Sequence, residues 1–347
     1  EQTAGRGRRG REWISAPGNL ATSLLCVAPV TPALAATLGG PDRIAFARAD
    51  IRSADDIDRA ARTTLGRRLR AARAVDHASW RPASLSTSPS SAVGYIVITQ
   101  LAGDPEAYAA ELNRRWGGLL SYRYLGRSYS SMDIGATDTV PVRHDMRNPT
   151  GGLYLAVLGI VSPDSGLVSD LEAVPNPVIH SIQVLDPGRD VRRIEIRSEG
   201  LKRGRQMAYS RSKIVDADNP GRVLALNEGQ GVSIGVPPEG LGRMELNPIE
   251  VVDSPDLPPL WRVFGAGRRP DGAWALPELT VEVASPDAAL HVGPQFVVLE
   301  TAAMDAAAEL LGTQQLQGIS SHVMFLARGK TGPFRVSAEV IAGTEGR

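Results

Sequence analysis

The strongest periodic pattern in the chain lies at residues 290–311, where a His-x-Gly turn is followed by apolar positions spaced three and four residues apart. This spacing predicts an amphipathic helix. Thr301, Asp305 and Glu309 fall on one polar arc of that helix, whereas Glu300 falls among the apolar positions. The pattern therefore predicts a helix that directs a single carboxylate into apolar packing.

Alternation of apolar and polar residues predicts a series of strands in the middle of the chain. They lie at 119–125, 138–143, 177–185, 191–198, 205–215 and 222–234. A short apolar helix is predicted over 153–161, before the last four strands. A helix followed by antiparallel strands linked as hairpins is typical of an α+β fold.

The C-terminal part of the chain repeats this order of predicted elements. Residues 250–347 again contain an apolar segment, a predicted helix and predicted strands. Aligning Gly152 with Gly293 also aligns Leu158 with Leu299, six residues further on in each copy. A fixed offset of this kind indicates internal duplication.

A second spacing supports the same alignment. His180 precedes Arg193 by thirteen residues, and His322 precedes Arg335 by the same interval. Two copies that agree at both helix and strand predict two tandem units, related by a pseudo-two-fold axis and paired sheet to sheet.

The copies differ at the acid, because Gly159 stands where the second copy has Glu300. The second copy also ends at Arg347, before counterparts of the strands at 205–215 and 222–234. We therefore expect it either to be truncated or to borrow strand edges from its neighbour.

Composition and charge narrow the function classes. The 38 basic residues balance 38 acidic ones, so the net charge does not indicate a nucleic-acid partner. The single cysteine, Cys26, excludes an internal disulfide, and the five histidines lack the spacing of metal ligands. No uninterrupted apolar run is long enough to span a membrane. We expect a cytoplasmic protein without a metal or other cofactor.

The candidate chemistry comes from a buried acid close to a helix start. Burial raises the pKa of a carboxyl group unless a partner compensates. Backbone N–H groups near Gly293 could bind a carbonyl oxygen or an oxyanion, and with Glu300 they would form a minimal acyl-transfer site. The alternative is a Glu300 side chain that caps a neighbouring backbone group or extends to solvent.

The Leu-His-x-Gly turn, followed by an acid seven residues after the glycine, resembles the active-site segment of hotdog-fold acyl-CoA thioesterases. The resemblance implies a central helix wrapped by an antiparallel sheet, here as a tandem double hotdog. It further implies that Glu300 is the general base or nucleophile, that the Gly293 amide polarises the thioester, and that His291 belongs to the same turn. The substrate would be an acyl-CoA or another acyl thioester.

Other polar residues are candidates for substrate binding. Asn148 and Thr150 flank Gly152 and could donate to a carbonyl or a water, although ordinary turn chemistry explains them as well. Gln295 could orient a water, and His322 could steer substrate at the seam between the copies. Six arginines are candidates for phosphate contacts or for a solvated strand face, at 192, 193, 197, 203, 205 and 211.

The N-terminal stretch GRGRRGREW, followed by Ser15 and Asn19-Leu20, resembles the adenylate-binding loop of biotin–protein ligases. Such a ligase continues with a lysine-bearing strand, whereas the first lysine of this chain is Lys202. We therefore expect no ligase activity and a poorly ordered segment over 1–42.

These observations divide the chain into four segments. They are the ligase-like fragment 1–42, a low-complexity linker 43–91, a first hotdog unit 92–240, and a second unit 241–347 with the candidate active site. Acyl-thioester hydrolysis is the favoured activity. The alternatives are an enoyl-thioester hydratase or dehydratase of the same fold, a non-catalytic acyl-binding protein and, more remotely, a ligase fragment. The two units would form a pseudo-dimer within the chain, alone or in a homo-oligomer.

Overall fold

The computed structural model describes nine parts of the chain, at 19–29, 43–53, 118–126, 137–162, 174–204, 207–234, 249–285, 289–330 and 332–345. Most of the ligase-like fragment 1–42 and of the linker 43–91 lies outside these residues, including the Arg/Gly-rich loop.

The described residues form eleven strands and four α-helices, with a 3-10 turn at His144–Met146. The helices are α1 (Leu120–Leu125), α2 (Leu155–Val161), α3 (Leu260–Val263) and α4 (Val292–Leu311). The strands of the first half are β3 (Thr137–Pro141), β4 (Val174–Val184), β5 (Arg193–Arg203), β6 (Met207–Asp216) and β7 (Asn219–Ile234). The other strands are β1 (Asn19–Pro29), β2 (Arg43–Ser53), β8 (Gly267–Arg268), β9 (Trp274–Leu276), β10 (Leu316–Phe325) and β11 (Phe334–Glu345).

All of these strands belong to one antiparallel sheet in the order β3-β5-β6-β7-β4-β10-β1-β2-β11-β9-β8. Strands β4 and β10 meet near its middle, where His180 lies opposite Val323 and Ser181 lies opposite His322. The α+β class is therefore confirmed, as are the helix near 153–161 and the strands that became β4 to β7.

The segment 119–125 was predicted as a strand, and that prediction is wrong, because residues 120–125 form α1. Leu119, Tyr122 and Leu125 are all buried, and their spacing of three residues matches one face of a helix rather than a strand. Gly126 ends the helix in the left-handed conformation, with φ 73°.

The N-terminal strands also differ from the prediction. We expected 1–42 to be poorly ordered and 43–91 to be a linker, yet β1 and β2 pair with each other inside the sheet. On their outer sides β1 pairs with β10, and β2 pairs with β11. These two neighbours satisfy the backbone N–H and C=O groups of the hairpin, which the local sequence could not reveal.

Helix α4 is the central helix of the second half and packs against β1, β2, β9, β10 and β11. It also packs against α2 and α3, so that little of it reaches solvent. Thr301 and Asp305 are consequently half-buried, whereas Glu309 is exposed. The arc predicted as polar is thus partly covered by α3 and β9.

Candidate functional site

Glu300 is buried, with 6% of the residue exposed, and its carboxylate reaches across to the first turn of α2. Its Oε1 accepts the backbone N–H of Leu155 at 2.9 Å, and its Oε2 accepts that of Ala156 at 2.7 Å. Burial raises the pKa of Glu300 to about 7, and these two hydrogen bonds limit the rise. A pKa near neutrality suits a general base.

Helix α2 needs this partner because its own N-cap contributes none. The N-cap residue is Tyr154, which makes no side-chain capping bond, so the first N–H groups of the helix are free to bind elsewhere. The Glu300 carboxylate supplies the two acceptors from α4, 145 positions away in the chain from Leu155.

The turn before α2 is held by a polar network centred on Gln317, a buried residue of β10. The Oε1 atom of Gln317 accepts from Asn148 Nδ2 at 2.9 Å and from the Thr150 hydroxyl at 3.1 Å. The single proton of that hydroxyl is shared with Asn148 Oδ1, which lies 2.6 Å away. Its Nε2 atom donates to the carbonyl oxygens of Leu153 and Gly318, at 3.2 and 2.9 Å. All hydrogen-bonding positions of this amide group are thereby used.

Gly152 lies against the same amide, and a Cβ atom at this position would overlap Gln317 Oε1. The structure therefore brings three of the predicted binding residues, Asn148, Thr150 and Gly152, together around Gln317 in the turn that leads to the partners of Glu300. Gln317 was not among the predicted site residues. The only available signal was a polar residue between Leu316 and Gly318 in a strand, which has no motif or spacing to distinguish it.

A cavity of about 150 Å³ opens beside Glu300. The cavity has a mixed lining, in which Glu300, Thr301 and Asp305 lie beside apolar side chains. Its aromatic wall is formed by Trp261 and Trp274, whose rings are 5.1 Å apart, and Trp274 Nε1 donates to Asp305 Oδ2 at 2.9 Å. The complete lining is Pro149, Tyr154, Ala156, Pro259, Leu260, Trp261, Trp274, Val297, Glu300, Thr301, Met304, Asp305, Gln314 and Leu316.

The turn at the start of α4 does not join this site. Gly293 precedes Glu300 by seven residues, which corresponds to about 10.5 Å along an α-helix. The Gly293 N–H donates to Nδ1 of His291, the N-cap residue, at 3.3 Å. Gln295 donates to the Leu290 carbonyl oxygen at 2.9 Å. The start of α4 therefore holds a separate polar cluster, about two helical turns before Glu300, formed by His291, Gly293 and Gln295.

The histidines of the β4–β10 junction lie away from Glu300. His322 is exposed, and its Nδ1 atom is 2.7 Å from Ser181 Oγ on the outer face of the sheet. His180 is buried, its ring centroid is 5.0 Å from that of Phe296, and burial lowers its pKa to about 4. His180 is therefore neutral at physiological pH.

Gly159, which the sequence alignment placed opposite Glu300, lies against the side chain of Phe296. A Cβ atom on Gly159 would lie 3.0 Å from a ring carbon of Phe296. The ring occupies the space that an acid at position 159 would need, so the described structure holds one such buried acid at the interface of α2 and α4.

Several of the arginines considered for phosphate binding are engaged by acids. Arg193 lies 2.7 Å from Asp218, and Arg211 lies 2.7 Å from Glu228. Arg197 lies 2.6 Å from Glu195. These pairs favour a solvated, charge-balanced strand face over a phosphate site.

Two other kinds of site are absent from the described residues. No group of three or more His, Cys, Asp or Glu side chains there could hold a metal ion. None of the helices in the same residues combines the length and apolar character of a membrane span.

Comparisons with known proteins match part of the chain. A scan against protein-family models and a search of curated proteins return no match. Among solved structures, a hypothetical thioesterase from Streptococcus pneumoniae TIGR4, solved with coenzyme A, is 18% identical, with TM-score 0.30 over 36% of this chain and 98% of its own. The PaaI protein of the E. coli phenylacetic acid degradation operon is 18% identical, with TM-score 0.29 over 43% of this chain and 98% of its own. The TT0310 protein of Thermus thermophilus is 20% identical, with TM-score 0.28 over 32% of this chain and 93% of its own.

Proposed function

We propose that the sheet combines two hotdog units. Outward from the β4–β10 junction, one half runs β4, β7, β6, β5, β3 and the other runs β10, β1, β2, β11, β9, β8. In the second half, β1 and β2 occupy the places that β7 and β6 occupy in the first. The N-terminal hairpin would thus supply the strands that the second sequence copy lacks.

The register at the junction supports this proposal. His322 follows His180 by 142 positions (322 − 180), and Val323 follows Ser181 by 142 positions (323 − 181). His180 pairs with Val323 and Ser181 pairs with His322, so that each residue lies opposite the counterpart of its neighbour. This reciprocal pairing is what a local two-fold axis between equivalent strands requires.

Within this arrangement we propose that the protein hydrolyses an acyl thioester at a composite site. The observation that carries the proposal is the buried carboxylate of Glu300, which borders a cavity and meets two backbone N–H donors of the other unit. An acyl-CoA is the expected substrate class. Asn148, Thr150 and Gly152 would contribute the turn that leads to the donors.

The chemistry follows from these positions. Glu300 accepts a proton from a water molecule while the water oxygen forms a bond to the thioester carbon. The carbonyl oxygen becomes an oxyanion and takes over one of the N–H donors at Leu155 or Ala156. The carbon–sulfur bond then breaks, the thiolate takes the proton from Glu300, and a carboxylic acid and a thiol are released.

A non-catalytic acyl-binding role is the second candidate, and one observation favours it. Both Glu300 oxygens are already engaged by backbone N–H groups, as they would be in a purely structural cap. In that case the cavity would bind an acyl group without turnover.

The test is incubation with a panel of acyl-CoA thioesters, with free thiol as the readout. We expect thiol release by the wild-type protein and a loss of about a hundredfold or more in Glu300→Gln, as is usual when a general base is removed. Glu309→Gln makes the same chemical change at an exposed position of the same helix and should leave the rate unchanged. Binding without thiol release would favour the acyl-binding role, and equal rates in wild type and Glu300→Gln would exclude Glu300 as the base.

A further inference from the structure

The buried amide of Gln317 connects the two halves of the composite site. It lies in β10, beside Gly318, at which a Cβ atom would be 3.3 Å from Glu300 Oε1. Its four hydrogen bonds reach the turn at 148–153 and its own strand, and that turn leads directly into α2. The position of the N–H groups beneath Glu300 therefore depends on the contacts of this amide.

We propose that Gln317 is a positioning residue that holds the 148–153 turn so that the Leu155 and Ala156 N–H groups face Glu300. This inference rests on the proposed function for its kinetic consequences. Gln317 does not itself border the cavity, so it acts through the turn and not by contact with substrate.

The orientation of the amide is fixed by its partners. Two carbonyl oxygens, of Leu153 and Gly318, require the NH₂ group on one side, and the Asn148 and Thr150 donors require the oxygen on the other. A flipped amide would face donors with donors and acceptors with acceptors. The network therefore has a single satisfied arrangement, which is the property that a positioning group needs.

The ionisation of Glu300 responds to this arrangement. Its two backbone hydrogen bonds stabilise the carboxylate and oppose the effect of burial on the pKa. The other titratable groups that border the cavity are Tyr154, at the start of α2, and Asp305, on α4, while α3, β9 and β10 contribute none to its lining. A loosened turn should weaken the hydrogen bonds and raise the pKa of Glu300 further.

The test uses Gln317→Leu, with Gln315→Leu as the control at the exposed position just before β10. In the pH profile of kcat/KM for thiol release, we expect the acid-side midpoint of Gln317→Leu to lie higher than in wild type, by about half to one pH unit. We also expect a lower kcat with little change in KM, and no shift for Gln315→Leu. A lower rate with an unchanged midpoint would make Gln317 a structural residue only and would overturn the proposal.

A second measurement does not depend on enzymatic activity. The pH dependence of the unfolding free energy is compared with and without Glu300→Gln, in the wild-type and in the Gln317→Leu background. The difference isolates the titration of Glu300, and its midpoint should again be higher in Gln317→Leu. An unchanged midpoint overturns the proposal even if the wild type hydrolyses no thioester, so failure of the proposed function remains distinguishable.

Thr150→Val provides the decisive variant if Gln317→Leu does not fold. It keeps the shape of the side chain but removes the hydroxyl that donates to Asn148 Oδ1 at 2.6 Å and to Gln317 Oε1 at 3.1 Å. We expect a smaller upward shift of the same midpoint. A titration of Glu300 identical to that of the wild type would refute the role of the network.

Discussion

At the residue scale, Glu300 has an unusual ionisation. The carboxyl group is buried and has no side-chain cation among the causes that set its pKa, only two backbone N–H donors. Two neutral donors offset part of the desolvation, so the pKa of about 7 lies above the ordinary value of 4.5. This balance would keep a fraction of the group protonated at neutral pH.

The raised pKa predicts a specific dependence of stability on pH. Because the folded state holds the Glu300 proton more tightly than the unfolded state, the group stabilises the fold fully below pH 4.5, and this contribution is lost as pH rises through 7. The loss is of the order of 3 kcal/mol, from about 1.36 kcal/mol per pKa unit. Glu300→Gln should therefore flatten the curve of unfolding free energy against pH between 5 and 8, measured by urea denaturation.

The same experiment has an internal control. Glu309→Gln should retain the wild-type slope, since Glu309 is exposed. At pH 5, Glu300→Gln should be the less stable protein, because glutamine offers one acceptor to two N–H groups and leaves one unpaired. Identical slopes in wild type and Glu300→Gln would show that Glu300 is not the group with the raised pKa.

At the element scale, α2 and α4 pack so closely that a side chain at position 159 would press against the Phe296 ring. The Cβ of an alanine at 159 would approach the Phe296 ring to 3.0 Å and Ile182 to 3.3 Å. A helical glycine is by itself unfavourable relative to alanine by up to about 1 kcal/mol. The close approach of the two helices therefore offsets the intrinsic cost of glycine in α2.

This balance predicts that the effect of Gly159→Ala on the unfolding free energy has opposite signs in the wild-type and Phe296→Leu backgrounds. In the wild-type background Gly159→Ala should be neutral or destabilising, because overpacking costs about 1–3 kcal/mol. In the Phe296→Leu background the same substitution should be stabilising, because the ring is gone and the helix propensity gain remains. Thermal or urea unfolding measures the coupling, and additive effects would mean that the ring does not limit position 159.

At the scale of the whole molecule, the N-terminal hairpin connects segments that are far apart in the chain. Strand β1 pairs with β10, and β2 pairs with β11, so the hairpin fills the gap between two strands of the second half. Without it, both of these strands would expose unpaired backbone groups along their edges. The integrity of the sheet around α4 therefore depends on residues at the opposite end of the sequence.

Ala49 in β2 provides a test, since it pairs with Ser23 on one side and with Ala338 on the other. Ala49→Pro removes a backbone donor inside the sheet and should destabilise the fold by at least about 1–3 kcal/mol, the cost of a buried carbonyl group that has lost its donor. Ala49→Ser keeps the backbone N–H group and a small side chain, and its midpoint of unfolding should stay close to that of the wild type. Equal stability of the proline and serine variants would mean that β2 does not pair within the sheet.

Local periodicity in the sequence was enough to predict much of the secondary structure. The spacing at 290–311 predicted α4 and the buried position of Glu300, and alternation predicted β4 to β7, because both patterns reflect which side of an element faces the core. The same local signal misassigned 119–125, where seven residues contain too few periods to separate a helix from a strand.

Only the tertiary structure decided which groups meet. The sequence associated Glu300 with Gly293 on its own helix, whereas its hydrogen bonds go to Leu155 and Ala156 in another segment. The role of Gln317 and the place of β1 and β2 were equally hidden. A hydrogen bond between distant segments depends on how the sheet closes and which elements pack across it. No local spacing records that geometry, because the partners share no position on a common helix or strand.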